Sequence, residues 1–241
     1  MNEKLYGELA AWWPLLSSPD DYEEEADFFL KHFGGKEGSA MLELGCGGGN
    51  IASWLKEEYE MTLVDLSPAM LAVSQELNPD CTHIEGDMRS IRLNQIFDRV
   101  FVHDAISYMT SEADLKAVFE TAAAHLASGG RAIFVPDYVS ETFFESSDHG
   151  GHDGEGRSMR YLEWAFDPDP ADSTYTVDYA YVLREGNDVP TLVHDRHIEG
   201  LFPKETWLRL LKECGFSTQY IPFNHSELAP DSYGIFRAMK R

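Results

Sequence analysis

The residues best placed to do chemistry lie in Met-Leu-Glu-Leu-Gly-Cys-Gly-Gly-Gly-Asn, positions 41–50. Glycines at 45, 47, 48 and 49 let the backbone turn tightly and come within contact distance of a ligand, which a Cβ would forbid. A tight turn alone needs fewer of them. An apolar run precedes the turn, and Ile51, Trp54 and Leu55 follow it at helical spacing, so it joins a strand to a helix. In a doubly wound sheet that turn faces the crevice at the carboxyl ends of the strands, where ligands bind. The dinucleotide fingerprint wants a glycine where Asn50 stands, and Glu43 would sit badly beside a pyrophosphate. An acid there suits an ammonium or a sulfonium. Asp65 ends the next apolar run about twenty residues on, where a carboxylate can accept hydrogen bonds from ribose hydroxyls. It could also be an ordinary acid at a helix start. Taken together, Gly45, Gly47, Glu43 and Asp65 point to a nucleoside ligand with a cationic tail.

Two histidines are candidates for a general base, His103 and His197, since an imidazole with an ordinary pKa of about 6.5 can take a proton at neutral pH. Each has a structural alternative. His194 and His197 are three apart on a predicted strand, so they point to opposite faces and do not share a metal. The stretch His149 to Gly156 carries His149, His152, Asp153 and Glu155, a superficially metal-like set, but its glycines read as a mobile loop. No metal is assigned. Tyr6, Trp12, Trp13 and Tyr22 precede the sheet and can be core residues.

The elements that must position these residues follow from periodicity. Strands are predicted at Ala40–Leu44, Met61–Val64, Thr82–Glu85, Phe97–His103 and Arg131–Pro136, several of them apolar without alternation, as in strands buried on both faces. Between them Ser67-Pro68 caps one helix, and Ser111 caps another that Gly129-Gly130 should end. Ahead of the unit, Ser18-Pro19 opens a helix with Tyr22, Ala26, Phe29, Leu30 and Phe33 on one stripe, closed by Gly34-Gly35. After the fifth strand, residues 137–200 change to period two at Met159–Phe166, Tyr175–Leu183 and Thr191–Ile198, which predicts three antiparallel strands forming a lid. A helix at Lys204–Cys214 and strands at Phe216–Phe223 and Tyr233–Met239 return the chain to the main sheet. The expectation is a single α/β domain spanning 1–241: a doubly wound, mainly parallel seven-stranded sheet with an antiparallel β lid inserted after the fifth strand.

Composition limits the partners. The 241 residues carry 42 Asp and Glu against 19 Lys and Arg, a formal net charge of −23. Such a surface repels nucleic acid and anionic membrane. Three widely spaced cysteines, Cys46, Cys81 and Cys214, form neither a disulfide frame nor a zinc pattern. With no leader-like start and no apolar run long enough to span a bilayer, a cytoplasmic protein is expected, neither exported nor membrane-embedded.

Residues 40–136 resemble the class I S-adenosylmethionine-dependent methyltransferases. Glu-Leu-Gly-Cys-Gly-Gly-Gly is similar to the family's first motif, which implies that Glu43 and the glycine turn contact the methionyl part of S-adenosylmethionine. By the same resemblance Asp65 holds the ribose, Leu66 and Met70 flank the adenine, and Gly-Asp-Met-Arg at 86–89 brings Asp87 to the adenine amino group and Met88 to the ring. The run Asp98 to Met109 is similar to the fourth-strand motif and sets His103 and Asp104 beside the transferable methyl. Leu126 to Val135 resembles the turn into the fifth strand. For Tyr6, Trp12, Trp13 and Tyr22 the resemblance implies, instead of a core role, that they close over the cofactor. Within the family the inserted lid is similar to that of sugar-amine N-methyltransferases, and the fourth-strand motif lacks the Asn/Asp-Pro-Pro-Tyr run of enzymes that methylate base amines. The resemblance implies methyl transfer to N or O of a small molecule. Two rivals stand beside it: a nicotinamide-dependent oxidoreductase on the same sheet, and a non-catalytic S-adenosylmethionine-binding protein.

Overall fold

The computed structural model describes residues 3–34, 39–226 and 232–241. Before the main sheet lie a short helix α1 (Trp13–Leu16) and α2 (Glu23–Phe33). Ser18 opens the turn before α2 with a capping box, its hydroxyl accepting from Asp20 N and Asp21 answering on Ser18 N. Gly34 follows α2, and Gly35, the other half of the predicted stop, lies outside the described residues.

The sheet is then built in alternation: β1 (Ser39–Leu44), α3 (Ala52–Leu55), β2 (Tyr59–Asp65), α4 (Pro68–Leu77), β3 (Thr82–Glu85), β4 (Phe97–His103), α5 (Glu112–His125) and β5 (Leu126–Val135). β6 (Ser146–Gly150), β7 (Asp153–Gly154), β8 (Arg157–Phe166), β9 (Thr174–Glu185) and β10 (Thr191–Gly200) form a second sheet. Finally α6 (Lys204–Glu213), β11 (Phe216–Phe223) and β12 (Tyr233–Lys240) complete the first, whose seven strands run β11-β12-β5-β4-β1-β2-β3. The five strands β1 to β5 are mutually parallel, and β12 pairs antiparallel with both β5 and β11.

Each face of this sheet is covered, which is why its strands are apolar throughout. Phe119 of α5 and Trp207 and Leu211 of α6 pack with Val100 and Phe134 on one side. On the other, Phe29 and Phe33 of α2 and Leu55 of α3 meet Met41 and Phe101. Ser67 and Ser111 cap α4 and α5 as expected, accepting from Met70 N and Asp114 N.

Two local expectations are corrected. Helix α5 ends at His125, before the glycine pair, because Leu126 already pairs with Phe97 of β4, with a register shift between Phe97 and Arg99. The Lys240 ammonium closes that helix end by donating to Ala123 O and Leu126 O, each at 2.7 Å. The glycine-rich stretch is not a free loop: residues 146–150 and 153–154 pair with β8. Their polar side chains carry no alternation, so the pairing was invisible to periodicity. Gly151 (φ +110°) makes it sterically feasible, since a Cβ there would lie 2.3 Å from Met159 O.

Candidate active site

β1 delivers Glu43 to the carboxyl edge of the sheet, and the chain turns through Gly45, whose φ of +79° suits glycine and whose Cβ would collide with Ala105 Cβ at 2.4 Å. Gly45 N and Cys46 N donate to Val64 O at 2.7 and 3.0 Å, locking the turn to β2. Gly47 N donates to Asp65 Oδ2, and Ser67 N to Asp65 Oδ1, both at 2.8 Å. The second carboxylate is therefore aimed across the mouth of the turn. These residues open on a cavity of about 400 Å³.

Glu43, Gly45, Gly47, Asp65 and Leu66 line that cavity together with Asp87, Met88 and His103. Met70 does not reach the wall: it is fully buried behind the turn, its Cε 3.8 Å from where a Cβ on Gly47 would stand. Asp87 is gripped by Arg89, whose Nη2 lies 2.6 Å away, and that pair holds the Asp87 carboxyl below its ordinary range. Glu43 is 1% exposed and its Oε2 has no hydrogen-bond partner. Burial pushes its pKa up to about 8, His103 opposing the rise and Asp65 adding to it. A buried carboxyl with an unanswered oxygen is set for a cationic partner. The glycine cradle, the orphan Glu43 oxygen and Asp65 together fit an adenosyl ligand with a cationic tail.

The N-terminal segment covers this cavity, with Tyr6, Trp13 and Tyr22 in its wall, while Trp12 belongs to the core beneath. Asn50, the residue that breaks the dinucleotide fingerprint, ties the cover down. Its Nδ2 donates to Ser17 O at 3.2 Å and Ser17 Oγ at 3.1 Å, and its Oδ1 accepts from Trp13 Nε1 at 3.4 Å. Ser67 Oγ donates to Tyr6 O at 2.5 Å, and Leu5 N donates to Asp195 Oδ2 at 2.9 Å.

A second cavity, of about 630 Å³, lies between the two sheets and shares Tyr6, Trp13, Tyr22, Asp104 and Tyr108 with the first. Asp104, between β4 and the turn that follows, is the one non-glycine with positive φ among the described residues, at +50°. Its carboxylate meets His103 Nε2 at 3.1 Å, and Glu25 Oε2 lies 3.4 Å from the same nitrogen. Burial alone would depress His103, but Asp104, Glu25 and Asp137 outweigh it and lift its pKa to about 9. It is an imidazolium at neutral pH.

His197 lines neither cavity. It is 1% exposed, and its Nδ1 accepts from the Tyr108 hydroxyl at 2.6 Å while its Nε2–H donates to Asp195 Oδ2 at 3.1 Å. The Tyr6 hydroxyl lies 2.7 Å from that of Tyr108. A hydrogen-bonded chain thus runs from the shared wall through Tyr6 and Tyr108 to His197 and Asp195. His194 points outward to Asp178, as the strand period required. Among the described residues no group of three His, Cys, Asp or Glu side chains is arranged to hold a metal ion.

Sequence reasoning passed over Asp195 and Glu199, which alternate with His197 on β10 and are all buried. Three ionisable residues at period two on a buried face was the available signal. Asp137 and Glu163 carried none, since each becomes part of the site only through the packing of one sheet on the other.

A family model described as a methyltransferase domain matches residues 41–130. The dTDP-3-amino-3,4,6-trideoxy-alpha-D-glucopyranose N,N-dimethyltransferase of Streptomyces venezuelae is 32% identical over 219 residues, covering 83% of this chain and 82% of that protein. The dTDP-3-amino-3,6-dideoxy-alpha-D-glucopyranose N,N-dimethyltransferase of Streptomyces fradiae is 24% identical over 97% of this chain and 91% of its own length. Among solved structures, a sugar N-methyltransferase from Streptoalloteichus superposes with a TM-score of 0.78 at 22% identity, covering 93% of this chain and 90% of that one, a likeness of fold.

Proposed function

The chain belongs to the class I S-adenosylmethionine-dependent methyltransferases, and we propose that its acceptor atom is an amine nitrogen of a small molecule bound in the second cavity. The observation that carries this reading is the shared wall: a cavity of about 630 Å³ opens beside the nucleoside cavity through Tyr6, Asp104 and Tyr108. A nicotinamide oxidoreductase has no use for Glu43 beside its pyrophosphate, and a mere sensor has no use for the second cavity. Nitrogen rather than oxygen is supported by the carboxylates around that cavity and by relatives named as N,N-dimethyltransferases.

S-adenosylmethionine, when bound, supplies a methyl on a sulfonium, open to in-line displacement by a lone pair. Glu43 and the turn at Gly45 and Gly47 would take its charged methionyl part, Asp65 the ribose hydroxyls, and Leu66, Asp87 and Met88 the base, with Met70 backing the turn. An amine arriving as an ammonium has no lone pair to offer until a proton leaves. Tyr6 and Tyr108 stand on the shared wall, and a proton passed to Tyr6 releases one from Tyr6 to Tyr108 and one from Tyr108 to His197 Nδ1. Asp195 accepts from the other ring nitrogen and steadies the resulting imidazolium. His103 already holds its proton, so in this reading it orients Asp104 and Glu25 and is not the base. Tyr22 and Trp13 exclude water from the junction.

We also place the enzyme in the cytoplasm, where three free thiols stay reduced, and read its −23 charge as disfavouring nucleic-acid acceptors. Among the described residues no helix is long and apolar enough to cross a membrane.

The test is methyl transfer from S-adenosylmethionine to a panel of amines, alcohols and carboxylic acids, followed by mass spectrometry of the products. Amines alone should gain methyl groups. His197→Gln should lower the rate at neutral pH by about a hundredfold, the scale of general acid–base catalysis. The loss should shrink as pH rises and the amine deprotonates in solution. Wild-type rates in that variant would remove His197 from the relay.

A further inference from the structure

The second cavity holds an unusual arrangement of charge. Asp104 and Asp137 are within hydrogen-bonding reach of each other, as are Asp137 and Glu199, and Glu199 also accepts from the Tyr175 hydroxyl. Carboxylates in contact cannot all be ionised unless a cation sits among them or protons are shared. The positive group beside this string is His103, and it is divided between Asp104 and Glu25. Glu163 and Asp21 stand elsewhere on the same wall. Among the described residues the wall has no lysine or arginine, and its histidine, His225, lies 3.8 Å from Glu24.

The rest of the lining points the same way. Tyr138, Phe144, Tyr161, Tyr175 and Tyr179 surround the space, and aromatic faces attract organic cations. A cavity of about 630 Å³ is the size of an organic ligand rather than a metal ion. Recognition of a phosphate would need arginine, lysine or a cradle of backbone N–H groups. Arg160 and Arg196 of the second sheet are committed to Asp153 at 2.9 Å and Asp178 at 2.6 Å.

We propose that the acceptor is a small organic amine without phosphate, entering the second cavity as a cation whose ammonium is taken by Asp104, Asp137 and Glu199. The inference rests on the amine reading above and narrows it, because relatives whose names specify dTDP-linked sugars would require room and donors for a pyrophosphate. The cation brings the countercharge that the carboxylate string lacks. The ring wall and the carboxylates then hold it against Tyr6 and Tyr108, where the proton leaves.

Calorimetric titration of the protein saturated with S-adenosylhomocysteine tests this independently of turnover. The probes are spermidine, glucosamine, tetramethylammonium, thymidine diphosphate and a dTDP-linked 3-amino sugar. At least one of the first three should bind saturably, thymidine diphosphate should not compete with it, and Asp137→Asn or Glu199→Gln should weaken it tenfold or more while leaving S-adenosylhomocysteine affinity intact. Retained S-adenosylhomocysteine binding shows that each variant folds, and thymidine diphosphate competition on the unaltered protein decides the question even if neither does. Competition by thymidine diphosphate, preference for the dTDP-linked amine, or no binding by any phosphate-free amine overturns the proposal. In the transfer assay, N-methylation of the dTDP-linked amine leaves the amine reading standing while this inference falls, whereas products methylated only at oxygen remove that reading and this inference together.

Discussion

At the scale of single residues, the glycine-turn edge of the first cavity was legible because it depends on backbone conformation and on strand ends. Positive φ at Gly45 and the places where β1 and β2 end bring Glu43 and Asp65 to one mouth, and each of these is set within its own segment. Met70 shows where locality stops: its helix position was foreseeable, but whether its side chain lines or backs the turn depends on packing. Glu43 makes a sharp prediction. With its pKa up at about 8 it is protonated in the free protein at pH 7, and a cationic ligand favours the ionised form. Binding of S-adenosylmethionine at pH 7 should therefore release up to about one proton, read by calorimetry in buffers of different ionisation enthalpy. Glu43→Gln should abolish the release, and a buffer-independent enthalpy in the unaltered protein would contradict the assignment.

At the scale of elements, strands and caps declared themselves by period and by Ser-Pro or Ser starts, and the three long strands of the second sheet were visible as alternation. What stayed hidden were contacts between elements. The chain from Tyr6 to Asp195 crosses three separate segments, and Glu199 of β10 joins Asp104 and Asp137, which follow β4 and β5, only when the second sheet docks on the first. The N-terminal cover is the element on which both cavities depend, and Asn50 is its anchor to the glycine turn. Asn50→Ala removes those bonds, each worth about 1 kcal/mol net. Affinity for S-adenosylmethionine should fall several-fold and amide exchange of residues 12–17 should quicken. Unchanged exchange would mean that the cover is held elsewhere.

At the scale of the whole molecule, the site is assembled at the expense of pH tolerance. Burial raises Glu43 from 4.5 to about 8 and raises Asp104, Asp137 and Glu199, while neighbouring carboxylates raise His103 from 6.5 to about 9 against the effect of its burial. In each case the folded state binds its proton more tightly than the unfolded chain. Stability is therefore fully present below the unfolded values and is lost as pH rises through the folded ones. Across pH 6 to 9 the melting temperature should fall by several degrees, at about 2–4 °C per kcal/mol for a chain of this size, with the −23 net charge acting in the same direction. A melting temperature that rises over that window would contradict the charge reading of the core. The central claim is that the glycine turn, Glu43 and Asp65 form an adenosyl site serving methyl transfer, and calorimetric titration of unaltered and Asp65→Ala protein with S-adenosylmethionine, using NADH as control, addresses it most directly. The unaltered protein should bind S-adenosylmethionine with a micromolar Kd and not bind NADH, and Asp65→Ala should lose at least tenfold in affinity, about 1.4 kcal/mol. Binding of NADH in preference, or an Asp65→Ala affinity equal to that of the unaltered protein, would contradict it.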